Sequence, residues 1–159
     1  MARANGITQR DPHWLNRLLK RYQGQQVLAI GIPLGSEGAS ARYPDGSALL
    51  VVAAANNFGT VDGRIPRRSF MELGAEKTHQ RTAPLLPGLI RRINAQTLSK
   101  PDALKILGPL AVGQHQAAIV ELREPPNAEA TVARKQSDNP LIDTSLLRQS
   151  MTFSVRAEP

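Results

Sequence analysis

Apolar residues recur along this chain in two rhythms, and the rhythm sorts most of it into elements. Trp14, Leu15, Leu18, Leu19 and Tyr22 fall at helical spacing, with Arg17, Lys20 and Arg21 on the remaining surface. Asp11 is a good N-cap and Pro12 suits a first helical position, so a helix is predicted to open there and to close at Gly24. Residues 27–32 form a short β-rich apolar run closed by Pro33, which predicts a strand. Residues 34–46 are rich in Gly and Ser and read as a mobile loop. Ser47 can cap a helix over residues 48–57. The run 49–52 fits a strand equally well by periodicity alone, and its Ala-rich continuation decides for helix.

The second half carries clearer punctuation. Ser69 followed by Glu72 is a capping-box signature for a helix bearing Phe70 and Leu73. Pro84 and Pro87 each remove a helical donor, so that helix should kink or restart before Leu89, Ile90 and Ile93 resume its apolar face. Ser99 and Asp102 form a second box, with Pro101 early in the helix where proline is tolerated; this helix should reach about residue 122, and Gly108-Pro109 can bend it. Residues 123–138, polar and proline-containing, are expected to form a loop. Asp143 reads as the N-cap, beside Thr144, of a short helix over residues 145–150, and the alternation over residues 151–155 as a closing strand. The expected fold class is α+β, a small antiparallel sheet packed against several helices. It forms one domain over residues 1–159, with a flexible arm at 1–10 and a flexible loop at 34–46.

The stretch from Asn56 to Phe70 joins a compact apolar element to a long helix. Gly59, Gly63, Asp62 and Pro66 are the residue types that let a backbone turn sharply, and Pro66 biases Ile65 toward extended geometry. Phe58 and Phe70 flank the joint as candidate buried rings. Arg64, Arg67 and Arg68 cluster within it, suited to carboxylates or phosphates and read as inter-subunit contacts. The segment has the character of a scaffold joint.

Composition narrows the function. A chain of 159 residues can bury roughly two-thirds of its unfolded surface. Its scarce aromatics leave the core to Leu, Ile, Val and Ala. The absence of cysteine excludes a disulfide framework and any thiolate metal site or nucleophile. No apolar h-region follows the first residues, so no signal peptide is expected. No apolar run approaches the length of a membrane span. A net charge of +7 favours nucleic acid, anionic membrane or acidic protein surfaces as partners. Trp14 reads as a core or interface anchor and lacks the aromatic company of a base-stacking platform.

Candidate chemistry is thin. Gly31, Gly35 and Gly38 lack the Lys-Ser/Thr pair of a phosphate loop and the spacing of a dinucleotide fingerprint. His13, His79 and His115 lack the paired spacing of a zinc helix; the first two are expected on the surface and His115 on a helix surface or interface. No nucleophile-elbow sequence accompanies the Ser, Asp and His present, and no paired-carboxylate spacing supports a hydrolase.

Three stretches together resemble a tailed-bacteriophage family of neck and tail-completion proteins. "NPLIDTSLLRQSMTFSV" at the C-terminal end is similar to that family's closing signature. "AAANNFGT" with "IPRRSF" resembles its Asn-Glu-Phe-Gly-Thr and Ile-Pro-x-Arg-x-Phe motifs, and "PPNAEATVARK" its Pro-Pro segment. The three occur in the family's order and span roughly residues 47–155. Asn57 stands where Glu is usual and Ser145 where Gly is usual, while Pro84 and Pro87 interrupt a helix that is normally unbroken. The resemblance implies a structural virion subunit that forms a homo-oligomeric ring, six- or twelvefold, at the head–tail junction. It implies contacts with other neck, connector and tail proteins, passing proximity to genomic DNA in the lumen, and no enzymatic activity, cofactor, metal or membrane. The residues it marks for structure or subunit contact are Asn57, Phe58, Gly59, Thr60, Ile65, Pro66, Arg67, Arg68 and Phe70 at the joint. Near the end of the chain they are Pro140, Leu141, Asp143, Thr144, Leu147 and Ser150. A basic nucleic-acid-binding module is the alternative.

Overall fold

The computed structural model describes residues 13–24, 26–135 and 137–157. The expected arm at 1–10 and the expected cap at Asp11-Pro12 lie outside them. Everything is arranged along α6, Lys100–Glu121, whose 22 residues make a rod about 33 Å long. Its start carries half of the predicted box: Ser99 Oγ accepts from the Asp102 backbone N–H at 3.2 Å, while the Asp102 carboxylate accepts from the Ser99 hydroxyl at 2.5 Å and not from the Ser99 backbone N–H. The rod continues through Gly108 and the exposed Pro109 as one helix.

Two glycines let neighbours approach it closely. A Cβ on Gly108 would lie 2.4 Å from the Phe153 ring, and one on Gly74 would lie 2.5 Å from His115 Cδ2. Gly74 belongs to α4, Phe70–Thr82, which packs along α6, and Phe153 belongs to β2, Thr152–Ala157. β2 pairs antiparallel with β1, Gln26–Gly31, in a register that sets Leu28 opposite Val155 and Ile30 opposite Phe153. Two strands alone are marginal in water; here the pair lies against α6. The α+β architecture with a small antiparallel sheet is therefore as the pattern predicts.

α6 serves two cores. Toward its C-terminal end Ile119 joins Phe70, Leu141, Leu147 and Met151 with Leu49 and Ala53 of α3, Leu49–Phe58. Toward its N-terminal end Ala103 and Leu107 meet Leu89 and Ile93 of α5, Leu86–Asn94. The restart expected at Pro84 and Pro87 is a 3-10 turn, Ala83–Leu85, leading into α5. α1, Trp14–Tyr22, lies against α5 and buries none of its residues. Among the described residues no helix is long and apolar enough to cross a membrane.

Several local expectations are corrected. The loop at 34–46 holds a helical turn, α2, Glu37–Ser40, capped by Ser36 Oγ, and a bridge between Arg42 and Ala48. At Gly38 it comes close to the end of α8, where a Cβ would meet Ser150 at 2.9 Å. The expected loop at 123–138 contains α7, Glu129–Lys135, whose acid at the start and bases at the end suit the helix dipole. Neither Ser47 nor Ser69 caps with its side chain. His115 is buried, its Nδ1 bonded to the Ala111 carbonyl oxygen at 2.9 Å. Phe70 is 2 % exposed as expected, but Phe58 is 72 % exposed. α3 turns Leu49, Ala53 and Asn57 inward, which points Phe58 the other way.

Candidate functional site

The joint is built from its glycines and its polar caps. Gly59 ends α3 at φ +78°, and a Cβ there would lie 3.1 Å from the Arg67 backbone nitrogen. The chain folds back so tightly that only a residue without a side chain fits. Thr60 clasps the loop from both sides: its N–H donates to the Ile65 carbonyl at 2.9 Å and its Oγ1 accepts from the Ile65 N–H at 3.0 Å. Asp62, bonded by the Thr60 hydroxyl and then the Arg64 backbone N–H, has its carboxyl held below the usual range.

Pro66 then delivers Arg68 to the interior, where it is 3 % exposed. Its backbone N–H donates to the Asn56 carbonyl at 2.7 Å. Its guanidinium donates to Asn56 Oδ1 at 2.8 Å, the Pro125 carbonyl at 2.7 Å, the Pro126 carbonyl at 2.9 Å and Asn127 Oδ1 at 3.2 Å. Burial lowers the Arg68 pKa, yet an arginine stays protonated in a protein. A buried cation is thus held by neutral oxygens, a fork matched to four fixed acceptors. Next to it, buried Asn57 accepts the Met71 N–H at 3.1 Å through Oδ1. It caps the first turn of α4 where the Ser69 hydroxyl was expected to.

The closing motif completes the surround. Asn139, also buried, accepts from the Leu141 and Ile142 N–H groups at 2.9 and 3.1 Å and donates to the Val120 carbonyl at 2.9 Å, tying the motif to the end of α6. Pro140 is fully buried and its carbonyl accepts from Lys135 Nζ at 3.2 Å. Asp143 is not the predicted cap. It is exposed, and the residue preceding α8, Leu146–Gln149, is Ser145 in the left-handed region at φ +62°. That conformation is natural to glycine and strained for serine.

Between these pieces runs a groove of about 280 Å³ lined by Tyr43, Arg64, Arg68, Arg134, Lys135 and Asp143, among others. Burial raises the Tyr43 pKa, and Asp143 and Asp45 push it further up. Burial lowers the Lys135 pKa, Asp143 opposes that, and Arg68 and Arg134 add to it. Asp45, on the same rim, is held low by the Ser47 N–H. Asn127 Nδ2, buried beside the Arg68 fork, has no hydrogen-bond partner among the described residues. No group of three or more His, Cys, Asp or Glu is placed to hold a metal ion among the described residues.

The groove brings together Ile65, Pro66, Arg68, Pro140, Leu141, Asp143 and Leu147 of the residues marked in the sequence. Asn57, Gly59 and Thr60 do not line it: Asn57 caps α4, and Gly59 and Thr60 fold the joint loop back onto Ile65 and Arg67. Phe70 lies in the core. Arg67 is exposed and pairs with Glu72, while Phe58 and Thr144 face outward and Ser150 sits under α2. Asn56, Asn127 and Asn139 hold the knot together without having been singled out. A buried asparagine is not distinguishable by spacing from one in a turn. The fold and this site define a small α+β scaffold knotted around one buried arginine. No family model, no curated protein and no solved structure matches the chain.

Proposed function

We propose that this chain is a structural, non-catalytic virion protein of the phage head–tail junction, a ring subunit that completes the tail and joins it to the head. One observation carries the reading. The stretches that resemble the neck family, around residues 56–70, 125–135 and 139–147, are far apart in sequence and meet around Arg68 in one hydrogen-bonded knot. Such a knot ties the end of α3 to the start of α4, through Asn56 to Arg68 and through Asn57 to Met71. Its groups hold a shape, and a shape repeated in register is what a closed ring requires.

In this role the partners are further copies, in a six- or twelvefold ring, and the adjoining neck, connector and tail proteins. Genomic DNA passes the lumen without sequence-specific contact. The test is completion of tails. Purified protein added to tails lacking it should appear at their head-proximal end in negative-stain images and restore joining to heads. Protein that never associates with tails or connectors overturns the reading. The nucleic-acid alternative gains nothing from the groove, where Arg68 and Lys135 are bonded to carbonyls and Arg64 to Asp62 at 3.2 Å. It requires DNA binding that falls steeply with salt.

A further inference from the structure

The groove beside Arg68 holds more hydrogen-bonding groups than the fold uses. Arg68 donates four of its five guanidinium hydrogens, to two proline carbonyls and to Asn56 and Asn127. One Nη1 hydrogen is left without a partner among the described residues. Asn127 Oδ1 takes one of the four bonds, so exchanging the two ends of its amide would set donor against donor. Nδ2 is therefore the end that stays buried and unpartnered. On the rim, the Arg134 guanidinium, the Tyr43 hydroxyl and the Asp143 carboxylate make no hydrogen bond or ion pair among the described residues. Burial, Asp143 and Asp45 all raise the Tyr43 pKa, so its hydroxyl remains a donor at neutral pH.

Charge and size narrow what fits. The groove is lined by four cations, Arg64, Arg68, Arg134 and Lys135, and by two acids, Asp45 and Asp143. Arg64 is already paired with Asp62 at 3.2 Å. Three cations then face two carboxylates, a surplus of one positive charge that a single monoanion neutralises. Val52, Ile65 and Leu147 give the wall an apolar part. A volume of about 280 Å³ lies at the small end of ligand sites, with room for one apolar residue and its carboxylate. A nucleic acid would bring further phosphates against Asp45 and Asp143. The end of a polypeptide brings one charge and then neutral amides, whose N–H groups suit the unpartnered Asp143 carboxylate.

We propose that the groove captures the C-terminal carboxylate of a partner polypeptide whose last side chain is apolar. The carboxylate lies against Arg134, the remaining Nη1 hydrogen of Arg68 and the Tyr43 hydroxyl. The last side chain rests on Val52, Ile65 and Leu147, and Asp143 accepts a peptide N–H. The site is independent of the ring reading, since it can be filled in a monomer or a ring alike.

The test is calorimetric titration of the full-length protein with acetyl-Ala-Ala-Val, acetyl-Ala-Ala-Leu and acetyl-Ala-Ala-Phe, each as free acid and as C-terminal amide. At least one acid should bind, and its amide should bind about tenfold more weakly or worse. Arg134→Gln and Tyr43→Phe should each weaken the acid by roughly three- to tenfold while circular dichroism shows the fold intact. Asn127→Asp sets a carboxylate of the chain's own beside Arg68 and should weaken the acid by more than about tenfold. Asp143→Asn should lower the preference for the peptide over 4-methylpentanoate. Acid and amide that bind alike, or no binding of any acid at about 5 mM, overturn the proposal. So does tighter binding of 4-methylpentanoate, inorganic phosphate or single-stranded DNA than of the peptides, which would make the groove a site for a free acid, a phosphate or a nucleic acid.

Discussion

The two ends of α6 solve different problems. At the C-terminal end Ile119 sits in a core of seven buried apolar residues walled by the Arg68 and Asn139 networks. At the N-terminal end four buried residues make the core, and α1 leans on it with no buried residue of its own. That helix is held through Arg21 and Tyr22, both bonded to Asn94, while Lys100 Nζ grips the Gly24 carbonyl just beyond it at 2.7 Å. Apolar area buried within the chain stabilises the fold; apolar area left outside is available to partners. The first end is therefore the more consolidated part of the fold, and the second the less consolidated.

Substitutions can break that contrast, beginning with the largest effect. Arg68→Ala strands the Pro125 and Pro126 carbonyls and both asparagine acceptors, and should cost about 3–5 kcal/mol in urea unfolding. Phe70→Ala should cost a similar ~3–5 kcal/mol, whereas Leu89→Ala in the smaller core should cost only about 2 kcal/mol. Equal losses would mean that the ends are equally consolidated. Phe58→Ala, on an exposed ring, should shift stability by less than about 0.5 kcal/mol.

Two further changes should stabilise. Asn127→Asp removes the orphan donor and sets a carboxylate against the buried guanidinium, a gain of about 1 kcal/mol at neutral pH. The new carboxyl would have its pKa depressed in the folded state. Its contribution is therefore present above the usual carboxylate pKa and lost as pH falls through the folded value, so acid titration of the unfolding midpoint should erase it. Ser145→Gly relieves the left-handed backbone at φ +62° and should raise stability by about 0.5–1 kcal/mol, read from the thermal midpoint. A loss in the Ser145→Gly chain would show that the hydroxyl matters more than the strain.

What the residues revealed in advance was local. Ser99 and Asp102 start α6 because the partners of a capping box lie three positions apart. The alternation at Thr152, Phe153, Ser154 and Val155 made β2 legible for the same reason, and Pro84 with Pro87 marked the break before α5. The misses were tertiary. Glu72 is drawn to Arg67, and the acceptor that caps α4 comes from Asn57 on another helix, so the spacing of Ser69 and Glu72 misled. α3 is apolar nearly all round, which hides the face it buries; Asn57 goes in and Phe58 goes out. His115 is interior because Gly74, forty-one positions away, leaves room for its ring. α7 was overlooked because Pro125 and Pro126 dominated the reading of its surroundings. In the site, the arginine cluster was visible but the division within it was not: Arg68 turns inward while Arg64 and Arg67 pair with acids on the surface.

A ring subunit must associate with copies of itself, and the mass of the purified full-length protein in solution tests that most directly. Sedimentation velocity or native mass spectrometry should find a closed species of six or twelve copies, formed alone or on addition of connector and tail proteins. A single-copy mass that persists at high concentration and in the presence of those partners would contradict it.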